Sequence, residues 1–201
     1  MTFDRTPGDD EVAEPAMPTP HRYVVIEGPI GVGKTSLVRR LGRNFGSELV
    51  LEQDAENPFL ERFYRNPRAA AFQTQLYFLF QRSRQLQDLR QSDLFENVRV
   101  ADYMLEKDRL FARLTLDDEE FALYEQVYER LAIDAPTPDL IVYLQAPADV
   151  LLERIARRGI EYEQQIERRY LERLTEGYAR FFLEYDAAPV LIVNAAEIDP
   201  I

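Results

Sequence analysis

The segment that most constrains this chain is GPIGVGKT, residues 28–35. It is entered from the β-branched run RYVVIE (22–27) and left into a helical pattern with Leu37, Val38 and Leu41 on one side and Gly46 as its stop. It matches G-x-x-x-x-G-K-[ST] at Gly28, Gly33, Lys34 and Thr35, with the strand before and the helix after that the motif needs. Gly28, Gly31 and Gly33 allow the backbone to turn its N–H groups inward onto phosphate oxygens. The helix that follows, opening past Thr35 and Ser36, turns its positive end to the same anion. Lys34 is placed to reach β- and γ-phosphates, and the Thr35 hydroxyl to ligate Mg²⁺. These residues predict ATP or another nucleoside triphosphate with Mg²⁺ as ligands. They do not specify the reaction.

Four more apolar runs read as strands: ELVLE (48–52), NVRVAD (97–102), DLIVYLQ (139–145) and VLIVN (190–194). Between them lie helical patterns at 58–64, at 68–91 after Pro67, at 147–158 and at about 163–185. Another helix is predicted to open on a capping box of Thr115 and Asp118, with Phe121, Tyr124, Val127, Tyr128 and Leu131 on one face. Strands alternating with helices predict an α/β fold of the P-loop NTPase type: a five-stranded parallel sheet flanked by helices. The 201 residues suit a single domain over 21–201. Residues 1–20, with four Pro, five acids and one Arg, read as a disordered acidic tail.

Composition excludes several chemistries. There is no Cys, so no thiolate nucleophile and no Cys-built zinc site. The single His, His21, lies next to the expected tail and leaves no parts for a Ser-His-Asp triad or a two-His metal site. A formal net charge of −12 argues against nucleic acid or an anionic membrane as partner, and no apolar run is long enough to span one. Without a signal-like N-terminus, the cytoplasm is the expected location. The basic residues are 22 Arg and only two Lys, Lys34 and Lys107, which makes each Lys worth inspecting.

Three further features point to phosphoryl transfer onto a small acceptor. Glu52 ends the second strand, at the sheet edge where ligands of parallel sheets bind, and a carboxylate there can take a proton from an acceptor hydroxyl. Asp102 ends the third strand, where an acid can hold Mg²⁺ directly or through water. Position alone equally allows a solvated strand-end Glu and a turn Asp. Arg154, Arg157 and Arg158, followed by Glu161 and Glu163, suit an Arg-rich helical lid over about 154–165, and equally a solvent-facing Arg/Glu surface. On the long helix, Gln75, Leu79 and Arg82 recur at i, i+4 and i+7 and so share one face, where two polar groups need partners.

From about residue 22 onward the chain resembles the deoxynucleoside kinases, the group of deoxycytidine, deoxyguanosine and deoxyadenosine kinases and their bacterial relatives. The resemblance is carried by EGPIGVGKT, LVLEQDAENPFLERFY, FQTQLYFLFQRSRQL, ADYMLEKDRLFA and RIARRGIEYEQ, and covers roughly nine-tenths of the chain. It implies that Glu52 is the general base for the 5′-hydroxyl, and that Tyr64 binds the sugar 3′-hydroxyl. It implies that Gln75 reads the base edge, with Arg82 and Asp108 as a pair beside the base. Arg154 and Arg158 match lid arginines, and Glu163 matches a lid glutamate that reaches the 3′-hydroxyl. Two positions depart from the family pattern. Tyr103 and Met104 follow Asp102 where Arg and Ser are usual, leaving Lys107 or Arg109 as candidate substitutes. Ile160 stands where a second lid Arg is usual, with Arg157 near enough to compensate.

The resemblance implies a deoxynucleoside 5′-kinase, with ATP or another triphosphate as donor and deoxyadenosine or deoxyguanosine as acceptor. It also implies a homodimer packed through helices. A nucleoside monophosphate kinase and a non-catalytic nucleotide-binding switch are the alternative readings.

Overall fold

The computed structural model describes residues 22–91, 98–132 and 135–198. Its strands are β1 (Tyr23–Glu27), β2 (Glu48–Val50), β3 (Arg99–Ala101), β4 (Leu140–Gln145) and β5 (Val190–Asn194). All pair in parallel, in the order β2-β3-β1-β4-β5. Val25 of β1 sits opposite Ala101 of β3 and Ile141 of β4. The helices are α1 (Lys34–Phe45), α2 (Leu60–Arg65), α3 (Pro67–Gln91), α4 (Lys107–Thr115), α5 (Asp118–Leu131), α6 (Ala148–Arg158) and α7 (Arg168–Glu184). Short 3₁₀ turns occupy Asp54–Glu56 and Glu161–Gln165.

Successive residues of a strand point to opposite faces, and both faces of β1 are covered. Val25 joins a core with Leu79 of α3, Ala112 of α4, Tyr124 of α5 and Tyr178 of α7. Ile26 joins the opposite core with Val38 of α1 and Leu151 and Ile155 of α6. From β1 the chain runs to β2 and β3 on one side, then crosses to β4 and β5 on the other. The carboxyl ends of β1 and β3 therefore flank the crevice where such sheets bind ligands.

The predicted α/β fold with five parallel strands is the observed one. Boundaries differ in ways that matter for the site. β2 and β3 end at Val50 and Ala101, so Glu52 and Asp102 stand just past the ladder. Helix α4 has no counterpart among the predicted elements. Its inner face buries Lys107 and Asp108 beside Ala112, and these charges interrupt the apolar period that would reveal it. The cap of α5 is Asp117, not Thr115: Asp117 and Glu120 form the reciprocal capping box. The Thr115 hydroxyl instead donates to the Phe111 carbonyl at 2.7 Å and closes α4. Helix α7 starts at Arg168 rather than 163, because Glu161–Gln165 is a separate 3₁₀ turn. Phe80 of α3 is 55% exposed. The predicted tail, His21 and Asn97 lie outside the described residues.

Candidate active site

The loop between β1 and α1 needs its glycines. Gly28 has φ +149°, and a Cβ there would stand 2.5 Å from the Leu144 carbonyl oxygen. Gly31 has φ +81°, and a Cβ there would meet the Leu151 carbonyl oxygen at 2.9 Å. Gly33 immediately precedes α1. Lys34 Nζ donates to the carbonyls of Gly28 at 2.8 Å and Pro29 at 3.3 Å. Burial, and then the neighbouring Lys107 charge, push its ammonium pKa down. A polyphosphate would oppose both effects by supplying negative charge. With no acidic residue in its first turn, α1 leaves its positive end to a ligand.

Beside the loop the ends of β2 and β3 converge. Asp102 is buried, and one carboxylate oxygen accepts the Thr35 hydroxyl at 2.6 Å while the other accepts the Glu52 N–H at 2.7 Å. A single acid thus couples the phosphate loop to the segment that carries Glu52. No group of three or more metal-ligating His, Cys, Asp or Glu occurs among the described residues. One hydroxyl and one carboxylate suit Mg²⁺, which keeps waters and takes substrate phosphates as its remaining ligands.

The Glu52 carboxylate meets two cations. Arg82 Nε donates to it at 2.8 Å and Arg82 Nη2 makes a second, shorter contact. Lys107 Nζ stands 3.2 Å from its other oxygen. Burial raises the Glu52 pKa, but Arg82, then Lys107 and Lys34, outweigh it and hold the carboxyl well below the usual range. Arg82 also pairs with the fully buried Asp108, and its guanidinium lies 4.6 Å from the Phe78 ring centre. Asp108 and Glu52, from two segments, thereby share the Arg82 guanidinium.

These groups line one cavity of about 550 Å³. One end holds Gly31, Gly33, Lys34 and Thr35, with Ser36 beyond. The other holds Tyr64, Gln75, Phe78 and Arg82, from α2 and α3. Gln75 is 3% exposed, and its amide makes no hydrogen bond to protein among the described residues. A buried amide facing an open cavity without a partner is a built donor and acceptor for a ligand. The Tyr64 ring stacks on Tyr162 of the second 3₁₀ turn at 6.0 Å, and burial keeps its hydroxyl protonated far above neutral pH.

Over the cavity stand α6 and that 3₁₀ turn. Gln164 ties them together, donating to the Ile155 and Ile160 carbonyls at 3.1 and 3.3 Å. Arg158 pairs with Glu163, which is 1% exposed and whose pKa burial raises. Arg154 is placed differently from a lid cation. Its guanidinium donates to the carbonyls of Val32 at 3.1 Å, Ala195 at 2.8 Å and Ile198 at 3.0 Å. It splints the phosphate loop to the segment after β5. Arg157 and Ile160 border the cavity as well.

Of the two candidate substitutes for the missing Arg, only Lys107 reaches the site. Arg109 points away and grips Glu125 of α5 through two bonds of 2.8 and 2.6 Å. Tyr103, in the usual Arg position, is fully buried under the cations and donates its hydroxyl to Gln85 at 2.8 Å. The sequence reading missed Glu27, which is fully buried at the end of β1 with Lys107 Nζ 3.6 Å away. Its signal is a carboxylate at the end of an otherwise apolar run, directly before the first glycine.

Comparison with known proteins agrees with this geometry. A family model described as deoxynucleoside kinase matches residues 24–200. Deoxyguanosine kinase of Bacillus subtilis is 39% identical over 157 residues, covering 78% of this chain and 76% of that protein. Deoxyadenosine kinase of Lactobacillus acidophilus is 30% identical over 192 residues, covering 89% and 87%. Among solved structures, deoxyadenosine kinase from M. mycoides with products dCMP and a flexible dCDP bound superposes with a TM-score of 0.78 at 28% identity, covering 88% of this chain and 92% of that one. With the family match spanning nearly the whole described chain, the protein belongs to the deoxynucleoside kinase family.

Proposed function

We propose that this kinase moves the γ-phosphoryl group of ATP onto the 5′-hydroxyl of a purine deoxynucleoside, deoxyadenosine or deoxyguanosine, in cytoplasmic nucleotide salvage. The observation that carries the reading is a single cavity with a phosphate loop at one end and the unpartnered Gln75 amide at the other, bridged by Glu52. The hydroxyl oxygen bonds to the γ-phosphorus, the bond from that phosphorus to the β,γ-bridging oxygen breaks, ADP departs, and the hydroxyl proton passes to Glu52. Thr35 and Asp102 would hold Mg²⁺, which neutralises phosphate charge when bound. Lys34 and Arg158 would neutralise charge on the transferring group, with Arg154 acting through the loop backbone it splints.

Transfer of this kind has a loose transition state, so the hydroxyl proton leaves late. A carboxylate held deprotonated by two cations therefore suits Glu52: it orients the hydroxyl through a hydrogen bond and takes the proton at the end. Gln75 would read the base edge beside the Arg82–Asp108 pair, and Tyr64 and Glu163 would flank the sugar 3′-hydroxyl. The names of the Bacillus and Lactobacillus relatives support a purine acceptor. Exposed Phe80 on α3 and Leu123 on α5 support a homodimer packed through helices.

The test is an acceptor panel of ATP and Mg²⁺ with the four deoxynucleosides and their 5′-monophosphates, read by chromatography. Deoxyadenosine or deoxyguanosine is expected to give its monophosphate fastest. Conversion of monophosphates alone would replace this reading with a monophosphate kinase.

A further inference from the structure

Both lysines of a chain that otherwise uses 22 arginines border this cavity. Lys34 belongs to the phosphate loop. Lys107 is in an unfavourable place for a cation. It is 2% exposed, it is the first residue of α4 and so lies at that helix's positive end, and Arg82 reaches the same carboxylate. What compensates it is a pair of acids on either side: Glu52 at 3.2 Å and Glu27 at 3.6 Å. Glu27 is in turn fully buried. One oxygen accepts the Tyr178 hydroxyl at 2.9 Å, and the other has no hydrogen-bond partner among the described residues. Neither the acceptor-binding groups nor the phosphate loop needs a carboxylate there.

We propose that Lys107 is the positioning cation of the acceptor-side carboxylate, and that Glu27 is the buried counter-charge that holds it. This rests on the reading of Glu52 as the acceptor's base. Lys107 fixes one Glu52 oxygen, leaving the hydroxyl of the acceptor a defined approach to the carboxylate. When Glu52 becomes neutral on accepting the proton, the ammonium keeps a partner in Glu27, so no unpaired charge is left in the site. A compact ammonium stands within 3.6 Å of both carboxylates.

The groups around the ammonium are Glu27 from β1, Glu52 after β2, Arg82 from α3, Lys34 from α1, the Tyr103 ring at 5.7 Å, and Tyr178 from α7 behind Glu27. Removing the Glu27 carboxylate leaves the ammonium paired with Glu52 alone among the described residues, so its placement loosens. The experiment is kcat and the KM for ATP at one pH, with saturating Mg²⁺ and deoxynucleoside, for variants made in the wild type and in Glu52→Gln. In Glu27→Gln kcat is expected to fall about threefold or more with the KM for ATP nearly unchanged. Lys107→Met should lower kcat about tenfold or more with the same unchanged KM, and Lys107→Arg, which keeps the charge, should recover part of that loss. In the Glu52→Gln background Lys107→Met should cost little further, because the cation acts through that carboxylate.

Melting curves and ATP binding establish that each variant is folded. Should Glu27→Gln not fold, the Lys107 variants decide alone. Wild-type kcat in Lys107→Met, or the same fold loss from Lys107→Met with and without Glu52→Gln, overturns the role given to Lys107. Wild-type kcat in Glu27→Gln overturns the role given to Glu27. Near-normal turnover in Glu52→Gln itself removes Glu52 as the base, a failure of the underlying reading distinct from the other two.

Discussion

Glu52 is where a residue-scale change separates chemistry from binding. Its side chain meets Arg82 and Lys107, whereas its backbone N–H is what Asp102 holds. Glu52→Gln keeps that N–H and the side-chain shape but removes the carboxylate proposed above as the proton acceptor. Turnover is expected to fall about 10²–10⁴-fold, while ATP affinity measured by calorimetry stays near wild type. The same residue predicts a pH-dependent stability. Its folded pKa lies below the unfolded value of about 4.3, so its stabilisation is present above that pH and is lost as pH falls toward the folded value. The melting-temperature gap between the wild type and Glu52→Gln should be full above about pH 5 and close on acidification. A gap independent of pH would mean that the ion pairs to Arg82 and Lys107 do not stabilise the fold.

At the scale of elements, α5 offers a clean measurement because it contributes nothing to the cavity lining. Asp117 accepts the Glu120 N–H at 2.8 Å, and Glu120 accepts the Asp117 N–H in return. Asp117→Ala should cost about 1 kcal/mol of stability and leave kcat unchanged, as read by urea denaturation and steady-state assay. Thr115→Ala should cost less, since Thr115 is no N-cap and its hydroxyl bonds only the Phe111 carbonyl of its own helix. That box also shows what a sequence makes legible. The pattern at Thr115 and Asp118 resembles a cap, but an equivalent pattern two residues on is the one used. Spacing alone does not separate them, because α4 ends where α5 begins. The five strands were legible because each is a short apolar run with a turn behind it. Helix α4 was not, because its buried face carries Lys107 and Asp108. Gln75 and Arg82 were legible as one face of α3 from their spacing. The Glu27–Lys107 contact was hidden by a separation of 80 positions along the chain, which only the pairing of β1 beside β3 removes.

At the scale of the whole molecule, the cavity lies among three packed clusters: one with α1 and α6, one with α3, α4, α5 and α7, and one with α2 and the first half of α3. Val32 of the phosphate loop belongs to the first, while Gln75 and Arg82 project from α3, which joins the other two. Each substrate therefore binds a folded arrangement that the unfolded chain lacks, and each should stabilise it by mass action. A chain of net charge −12 gathers Lys34, Lys107, Arg82, Arg157 and Arg158 along one cavity. A triphosphate with Mg²⁺ would relieve their mutual repulsion. At a hundredfold excess over its dissociation constant, ATP with Mg²⁺ should add about 2.7 kcal/mol, which raises the melting temperature of a protein this size by about 5–11 °C. Lys34→Ala should lose most of the ATP shift and keep the shift caused by a deoxynucleoside alone, because the acceptor end proposed above is built from α2 and α3. Equal ATP shifts in Lys34→Ala and the wild type would place the triphosphate elsewhere. Loss of both shifts would mean that the two ends of the cavity form only together, with the loop ordering the acceptor side through Thr35 and Asp102.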